Sequence, residues 1–352
     1  MTAAAAIHLD VRRDLLAVVG KLIEPGTRCA LVDFPRHANV GDSAIWLGER
    51  ALLTELGADV VYVADLHTFS EADLSERLPT GTILLHGGGN LGDLWPHHQK
   101  LREQIIRAFP RHRIIQLPQS VHFGDPAGLD RAREVFDAHP DLLLLLRDHR
   151  SLLAARRAFR APTMLCPDSA LALSELPRST RPSHRILWLS RTDHEAAHHT
   201  EPDLAADVHR SDWTGQQGAD HAWIAALQTA RRDLQGASMD RCRGVTSRPR
   251  DDLTRSYDRH AALHLLRGCR LLTSAQAVVT DRLHAHLLCL LLGLPHVVLN
   301  DRHGKVQSYW ETWRHDRWWP VARLAPTPGH AIQQAQLLAD PAPTRPAARR
   351  QA

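Results

Sequence analysis

The sequence predicts an α/β protein built on parallel sheets, with two such units in series. Short apolar runs alternate with amphipathic segments from residue 29 onward. Strand–helix alternation with short connections is the pattern of a parallel sheet covered on both faces. A polar, proline-punctuated stretch, Glu175 to Ser183, interrupts the alternation and reads as a linker. The length, 352 residues, is enough for two ordinary cores.

The elements follow in order. In the first unit the expected strands are Cys29 to Phe34, Val60 to Ala64, Thr82 to Leu85, Arg113 to Leu117, Leu142 to Leu146 and Thr163 to Cys166. Helical periodicity falls between them, over Ala44 to Leu56, Gln99 to Phe109 and Ser151 to Phe159. The second unit offers strands at Arg185 to Leu189, Ala277 to Thr280 and His296 to Leu299. An apolar helix over Leu287 to Leu292 ends at Gly293-Leu294-Pro295. The expected domains are therefore 1–176 and 184–325, followed by a tail, 326–352, whose last part reads as disordered. Arg191 to Asp220 is long, polar and histidine-rich without a period, so it reads as a functional or disordered loop.

Composition narrows the function classes. The formal charge is +4, a mild excess that suits anionic substrates or a membrane surface. No dense Lys/Arg stripe interleaved with aromatics is present, which disfavours nucleic acid. The five cysteines, Cys29, Cys166, Cys242, Cys269 and Cys289, show no CxxC pairing and read as reduced core residues of a cytosolic protein. The alanine-rich start is too short for a signal sequence, and no uncharged run is long enough to span a bilayer. His97-His98 and His194 with His198-His199 have no carboxylate set as in HExxH, so no metal site is expected.

The chemistry-bearing motifs fall at strand ends, where open parallel sheets bind ligands. Thr280-Asp281-Arg282-Leu283-His284-Ala285-His286 places an arginine and a histidine where a strand turns into a buried helix. Backbone N–H groups and the helix dipole favour an anion there. Arg282 can grip a phosphate or carboxylate with two donors, and His284 can move a proton near neutral pH. Asn39-Val40-Gly41-Asp42 opens a helix, so Asp42 is either a first-turn cap or a general base. The run Gly87-Gly88-Gly89 with Asn90 is either a backbone nest for an anion or sugar or a close-packing turn. Gln119-Ser120 follows a strand and serves as cap or ligand; Lys305 is a solvated loop charge or an anion contact. Arg147 leaves a strand of five leucines and needs an anionic partner, either Asp148, Asp168 or a ligand. Tyr309-Trp310, Trp313 and Trp318-Trp319 pack a core or stack on sugar rings.

The order of these motifs resembles the polysaccharide pyruvyl transferase family over roughly residues 30 to 310. The matching elements are Gly41-Asp42, the run from Gly87 to Asp93, Pro118-Gln119-Ser120, Arg147-Asp148, Pro167-Asp168, Arg282-Leu283-His284-Ala285 and Lys305. The resemblance implies two Rossmann-like domains of the glycosyltransferase-B type facing across a cleft. It implies transfer of a pyruvyl group from phosphoenolpyruvate to two hydroxyls of a sugar, as a cyclic ketal, without a cofactor. His284, Arg282 and Asp42 would then be catalytic. Arg147, Leu283, Lys305, Gly87, Gly88, Gly89, Asn90, Gln119 and Ser120 would bind substrate. The acceptor would be a saccharide precursor, lipid- or nucleotide-linked, met in the cytoplasm or at the inner membrane face; a homo-oligomer stays open. The rival readings are a nucleotide-sugar glycosyltransferase of the same architecture and a non-catalytic saccharide-binding homologue.

Overall fold

The structure is a computed structural model. It describes residues 3–174, 176–178, 181–193, 195–197, 206–213, 250–313 and 321–340. All of its paired strands are parallel, and they form two sheets.

The first sheet has seven strands: β1 (Arg28–Val32), β2 (Asp59–Ala64), β3 (Thr82–Leu85), β4 (Gly88–Gly92), β5 (Arg113–His122), β6 (Leu142–Leu146) and β7 (Thr163–Leu165). Their order is β2-β1-β3-β5-β6-β7, with β4 on the far half of β5. The second sheet has five: β8 (His184–Leu189), β9 (Val208–Ser211), β10 (Ala275–Thr280), β11 (His296–Val298) and β12 (Ala322–Leu324), ordered β12-β11-β10-β8-β9. In both sheets the first strand lies second from one edge, with the second strand outside it and the later ones on its other side. A crevice opens where that order reverses, beyond the carboxyl ends of β1 and β3 and of β8 and β10.

Helices cover both sheets: α1 (Ala3–Val19), α2 (Val40–Glu55), α3 (Glu71–Arg77), α4 (Pro96–Ala108), α5 (Pro126–Ala138), α6 (His149–Ala158), α7 (Arg250–Leu272), α8 (Leu283–Leu292), α9 (Lys305–Trp313) and α10 (Pro328–Ala339). The caps explain most of the starts. Asn39, Ser70, Asp125, Asp148 and Thr327 each accept an early backbone N–H of the helix they precede. α8 differs: Arg282 precedes it without a side-chain cap, and Gly293 ends it in the left-handed region at φ 59°.

Three differences from the sequence reading have physical causes. β5 runs through Pro118 to His122 because it changes partner, pairing β3 up to Gln116 and β4 from Gln119. Gly88 begins β4, paired with Gln119, and the register shifts between it and Leu91, so only that glycine of the run joins the ladder. The tail contributes α10, whose Ala331, Ile332 and Ala335 pack on Trp188, Val279 and Val297; residues 341–352 lie outside the described residues.

The two sheets share a core. Val40, Ala44 and Ile45 of α2 pack with Leu187, Leu283 and Leu287. α7 follows the second sheet's early strands in sequence yet lies on the first sheet's α2. Its Tyr257 ring stacks on Phe34 at 4.0 Å, and its hydroxyl lies 2.6 Å from Thr68 Oγ1. Cys29, Cys166, Cys269 and Cys289 are buried free thiols, whereas Cys242 lies outside the described residues.

Candidate active site

A pocket of about 340 Å³ lies at the carboxyl ends of strands from both sheets. It gathers Asp42, Gly89, Asn90 and Arg147 from the first with Arg282, Leu283, His284 and Lys305 from the second. Gly87, Gly88, Gln119 and Ser120 do not line it; they stand behind it.

On the first side the charges are held by a fixed network. Arg147 is 2% exposed. Its Nη1 donates to Asp168 Oδ2 at 2.8 Å and its Nε to Ser120 Oγ at 2.9 Å. Its partner is therefore Asp168. Asp148 instead caps α6 and accepts hydrogen bonds from Ser120 and Ser308. Gln119 donates to the His86 carbonyl and to Asn90 Oδ1, and accepts from the Asn90 N–H at 3.1 Å. Beneath it, buried Arg102 donates to Gln116 at 2.6 Å and to Asn90 Oδ1 at 2.7 Å. Asp33, at the end of β1, is held at φ 81° and accepts from His98 Nδ1 at 2.6 Å.

His284 meets this network from α8. Its Nε2 lies 3.3 Å from Asp168 Oδ2 and 3.4 Å from Arg147 Nη1. The ring fits because residue 41 is glycine: a Cβ there would stand 2.5 Å from His284 Nδ1. Gly88 has φ 118°, and a Cβ on Gly89 would crowd Arg147 Nη2 at 3.2 Å and Lys305 Nζ at 3.4 Å. At Gly89 the backbone passes close to two cations, which is what a glycine there permits. Asp168 is buried, which would raise its pKa, but His284, Arg147 and the Ala170 N–H hold it well below the usual carboxylate range. Burial works against Asp42 likewise, and His37, His284, His86 and Arg147 lower it. Both carboxylates are therefore ionised at neutral pH.

The second side is a lattice of ion pairs. Arg282 is 3% exposed and its Nε and Nη2 both donate to Asp212, each at 2.8 Å, with its guanidinium 5.4 Å from the Trp213 ring. The fork expected to grip an anion thus already grips a carboxylate. Arg191 pairs with Asp193 and Glu195, and Lys305 with Glu195. Burial opposes the ionised form of Glu195, yet Lys305 and Arg191 lower its pKa.

The sequence reading singles out none of Arg191, Asp193, Glu195, Asp212 and Trp213, all inside the stretch it reads as a functional or disordered loop. Part of that stretch is β9, a polar edge strand paired with β8, and residues 194, 198–205 and 214–220 of it lie outside the described residues. His86 ended a recognised strand but was given no role. Tyr309 and Trp310 pack in the core, Trp313 Nε1 donates to the Arg147 carbonyl at 2.7 Å, and Trp318 and Trp319 lie outside the described residues. Trp95, 42% exposed, lines the pocket instead. Among the described residues no cluster of three or more His, Cys, Asp or Glu is arranged to hold a metal. Among them, too, no helix is long and apolar enough to cross a membrane.

Residues 39–303 match the model of the polysaccharide pyruvyl transferase family. The chain belongs to that family. It is 34% identical over 304 residues to Pyruvyl transferase 1 of Schizosaccharomyces pombe, covering 82% of this chain and 70% of that one. It is 31% identical over 316 residues to the putative pyruvyl transferase EpsO of Bacillus subtilis, covering 87% and 93%. The chain is thus an enzyme of the pyruvyltransferase class. The crystal structure of an uncharacterised Klebsiella pneumoniae protein shares the fold, with a TM-score of 0.50 at 14% identity, covering 90% of this chain and 98% of that one.

Proposed function

We propose that this enzyme transfers the pyruvyl group of phosphoenolpyruvate to two hydroxyls of a saccharide, closing a cyclic ketal. The observation that carries the reading is the meeting of Arg147 and Lys305 around Gly89, with His284 and Arg282 beside them, in one pocket. Phosphoenolpyruvate brings a carboxylate and a phosphate, and a site for it needs several cations close together. On this reading the two sheets act as lobes of a glycosyltransferase-B-type enzyme, spanning 1–176 and 184–325, with the donor between them. The acceptor is a lipid- or nucleotide-linked precursor met in the cytoplasm or at the inner membrane face.

The atoms balance without a cofactor. One acceptor hydroxyl bonds to the central carbon of phosphoenolpyruvate while the methylene carbon gains a proton. The C–O bond to phosphate then breaks, and the second hydroxyl closes the ring. The two hydroxyl protons end on the new methyl group and on the phosphate. Asp42, ionised and at the pocket wall, receives the first hydroxyl's proton, which leaves with the phosphate. Arg147 and His284 cradle that phosphate. Arg282 and Lys305 reach the donor's anionic groups by exchanging Asp212 and Glu195 for them.

The test is to incubate the enzyme with phosphoenolpyruvate and a panel of p-nitrophenyl hexosides. Inorganic phosphate release matched by a pyruvylated glycoside is expected. Nucleoside diphosphate release from nucleotide sugars, with phosphoenolpyruvate untouched, would instead establish a glycosyltransferase.

A further inference from the structure

We infer that His86, steered by Glu49, is a further catalytic residue, whose Nε2 delivers the proton to the methylene carbon of phosphoenolpyruvate. The inference rests on reading the pocket as a pyruvyl-transfer site.

His86 follows β3 directly and forms part of the pocket wall while being only 2% exposed. Its main chain is pinned. Its N–H donates to the Val32 carbonyl at 2.9 Å, and its own carbonyl accepts from Gln116 Nε2 at 2.8 Å and Gln119 Nε2 at 3.0 Å. Its ring is pinned too, because Nδ1 lies 2.7 Å from Glu49 Oε2. Glu49 is itself wholly buried and its other oxygen accepts the Gly87 N–H at 2.8 Å. The remaining ring nitrogen, Nε2, is buried and makes no hydrogen bond. A buried polar atom without a partner calls for an explanation. An imidazole held by a carboxylate at one nitrogen, on a residue that forms part of a pocket wall, is the arrangement by which histidines exchange protons with substrates.

The protonation state follows from the surroundings. The charged and titratable groups facing His86 are Glu49 and Asp42 from α2, Asp33 beyond β1, and His37 from the loop after it. Burial disfavours a charged ring, but Glu49, Asp33 and Asp42 outweigh it and raise the histidine pKa. Burial raises Glu49 as well. The pair therefore holds one proton in the Glu49–Nδ1 bond and retains a second, on Nε2, to higher pH than a free imidazole does. His284 is less suited to that task, since its Nε2 is shared between Asp168 and Arg147. Asp42, held ionised, has no proton to give.

The cycle closes. His86 gives its Nε2 proton to the methylene carbon as the first hydroxyl attacks and passes its own proton to Asp42. That proton departs with the phosphate. The second hydroxyl then attacks the central carbon and returns a proton to Nε2. Glu49 touches no substrate and is a positioning residue.

The test uses the full chain, phosphoenolpyruvate and the p-nitrophenyl hexoside panel. For His86→Asn, phosphoenolpyruvate should bind within a fewfold of wild type while kcat falls roughly 10²–10⁴-fold, the worth of a placed acid. The wild-type kcat should decline at alkaline pH as the dyad loses its proton, and this limb should vanish from the residual activity of the variant. Glu49→Gln removes the charge that raises His86 and should move the limb to lower pH. That shift carries the test by itself if His86→Asn does not fold. A wild-type limb retained in His86→Asn, or unmoved in Glu49→Gln, overturns the role of His86 while leaving pyruvyl transfer standing. A wild-type enzyme that releases no phosphate from phosphoenolpyruvate overturns both.

Discussion

The two sides of the pocket hold their charges in opposite ways. Beyond the first sheet, Arg147, Asn90 and Gln119 are fixed by amides, a hydroxyl, the buried Arg102 and two buried carboxylates, Asp168 and Asp33. Beyond the second, Arg191, Arg282 and Lys305 are each matched by carboxylates on the segment after β8 or β9. The first arrangement is preorganised and already aimed before any anion enters. The second is satisfied before any donor arrives, so an incoming anion has to exchange with Asp212 or Glu195. Rigid recognition and exchangeable recognition thus face each other across one pocket.

His284 joins the two sides, so removing it gives the largest expected effect. His284→Ala should lower turnover roughly 10²–10³-fold with the fold retained; wild-type turnover in this variant would remove His284 from the chemistry. The rigid side should show its cost in stability. Arg147→Met leaves Asp168 charged and buried without its arginine, at about 3–5 kcal/mol, read as a lower urea midpoint. A midpoint equal to wild type would mean the pair is not structural.

Acid should act on the buried histidines before the depressed carboxylates. His286 Nδ1 lies 2.8 Å from His296 Nε2, and both rings are fully buried. Burial lowers both pKa values, that of His296 to about 4, whereas an unfolded histidine titrates near 6.5. Between those values the unfolded chain binds more protons, so stability falls as pH drops from about 6.5 toward 4. The depressed carboxylates Asp42 and Asp168 lose their contribution only as pH falls through lower values. Urea midpoints at pH 7 and pH 4.5 should therefore differ, and His296→Gln should flatten the difference; an undiminished slope would place the sensitivity elsewhere. The smallest effect belongs to the exchangeable side. Glu195→Gln frees Lys305 of a competitor worth about 1 kcal/mol, so phosphoenolpyruvate should bind roughly fivefold tighter. Weaker binding would make Glu195 a support of the site and not a placeholder in it.

Much of the fold was legible because buried parallel strands announce themselves. The five leucines of β6 and the apolar ends of β1, β3 and β10 have few other readings. β4 and β9 were hidden, one by its glycines and the other by the polar Val208-His209-Arg210-Ser211. α10 was hidden because alanine and glutamine suit a helix and a loose tail alike. Of the pocket's lining, Asp42, Arg147, Arg282, His284 and Lys305 could be singled out because each follows a recognisable strand. The carboxylates opposing them were missed because charges in a polar stretch carry no period. Glu49 could not be singled out, since a glutamate mid-helix looks like an ordinary solvated face until its burial is known.

Tyr257 gives this asymmetry a mechanical side. Its ring lies flat on Phe34 and its hydroxyl meets Thr68, so α7 is riveted to the first sheet although its sequence neighbours build the second. Prying the sheets apart would leave that stack in place and expose the core they share. Trp95, exposed at the pocket wall, and the ion-paired Arg191, Arg282 and Lys305 lie outside that core.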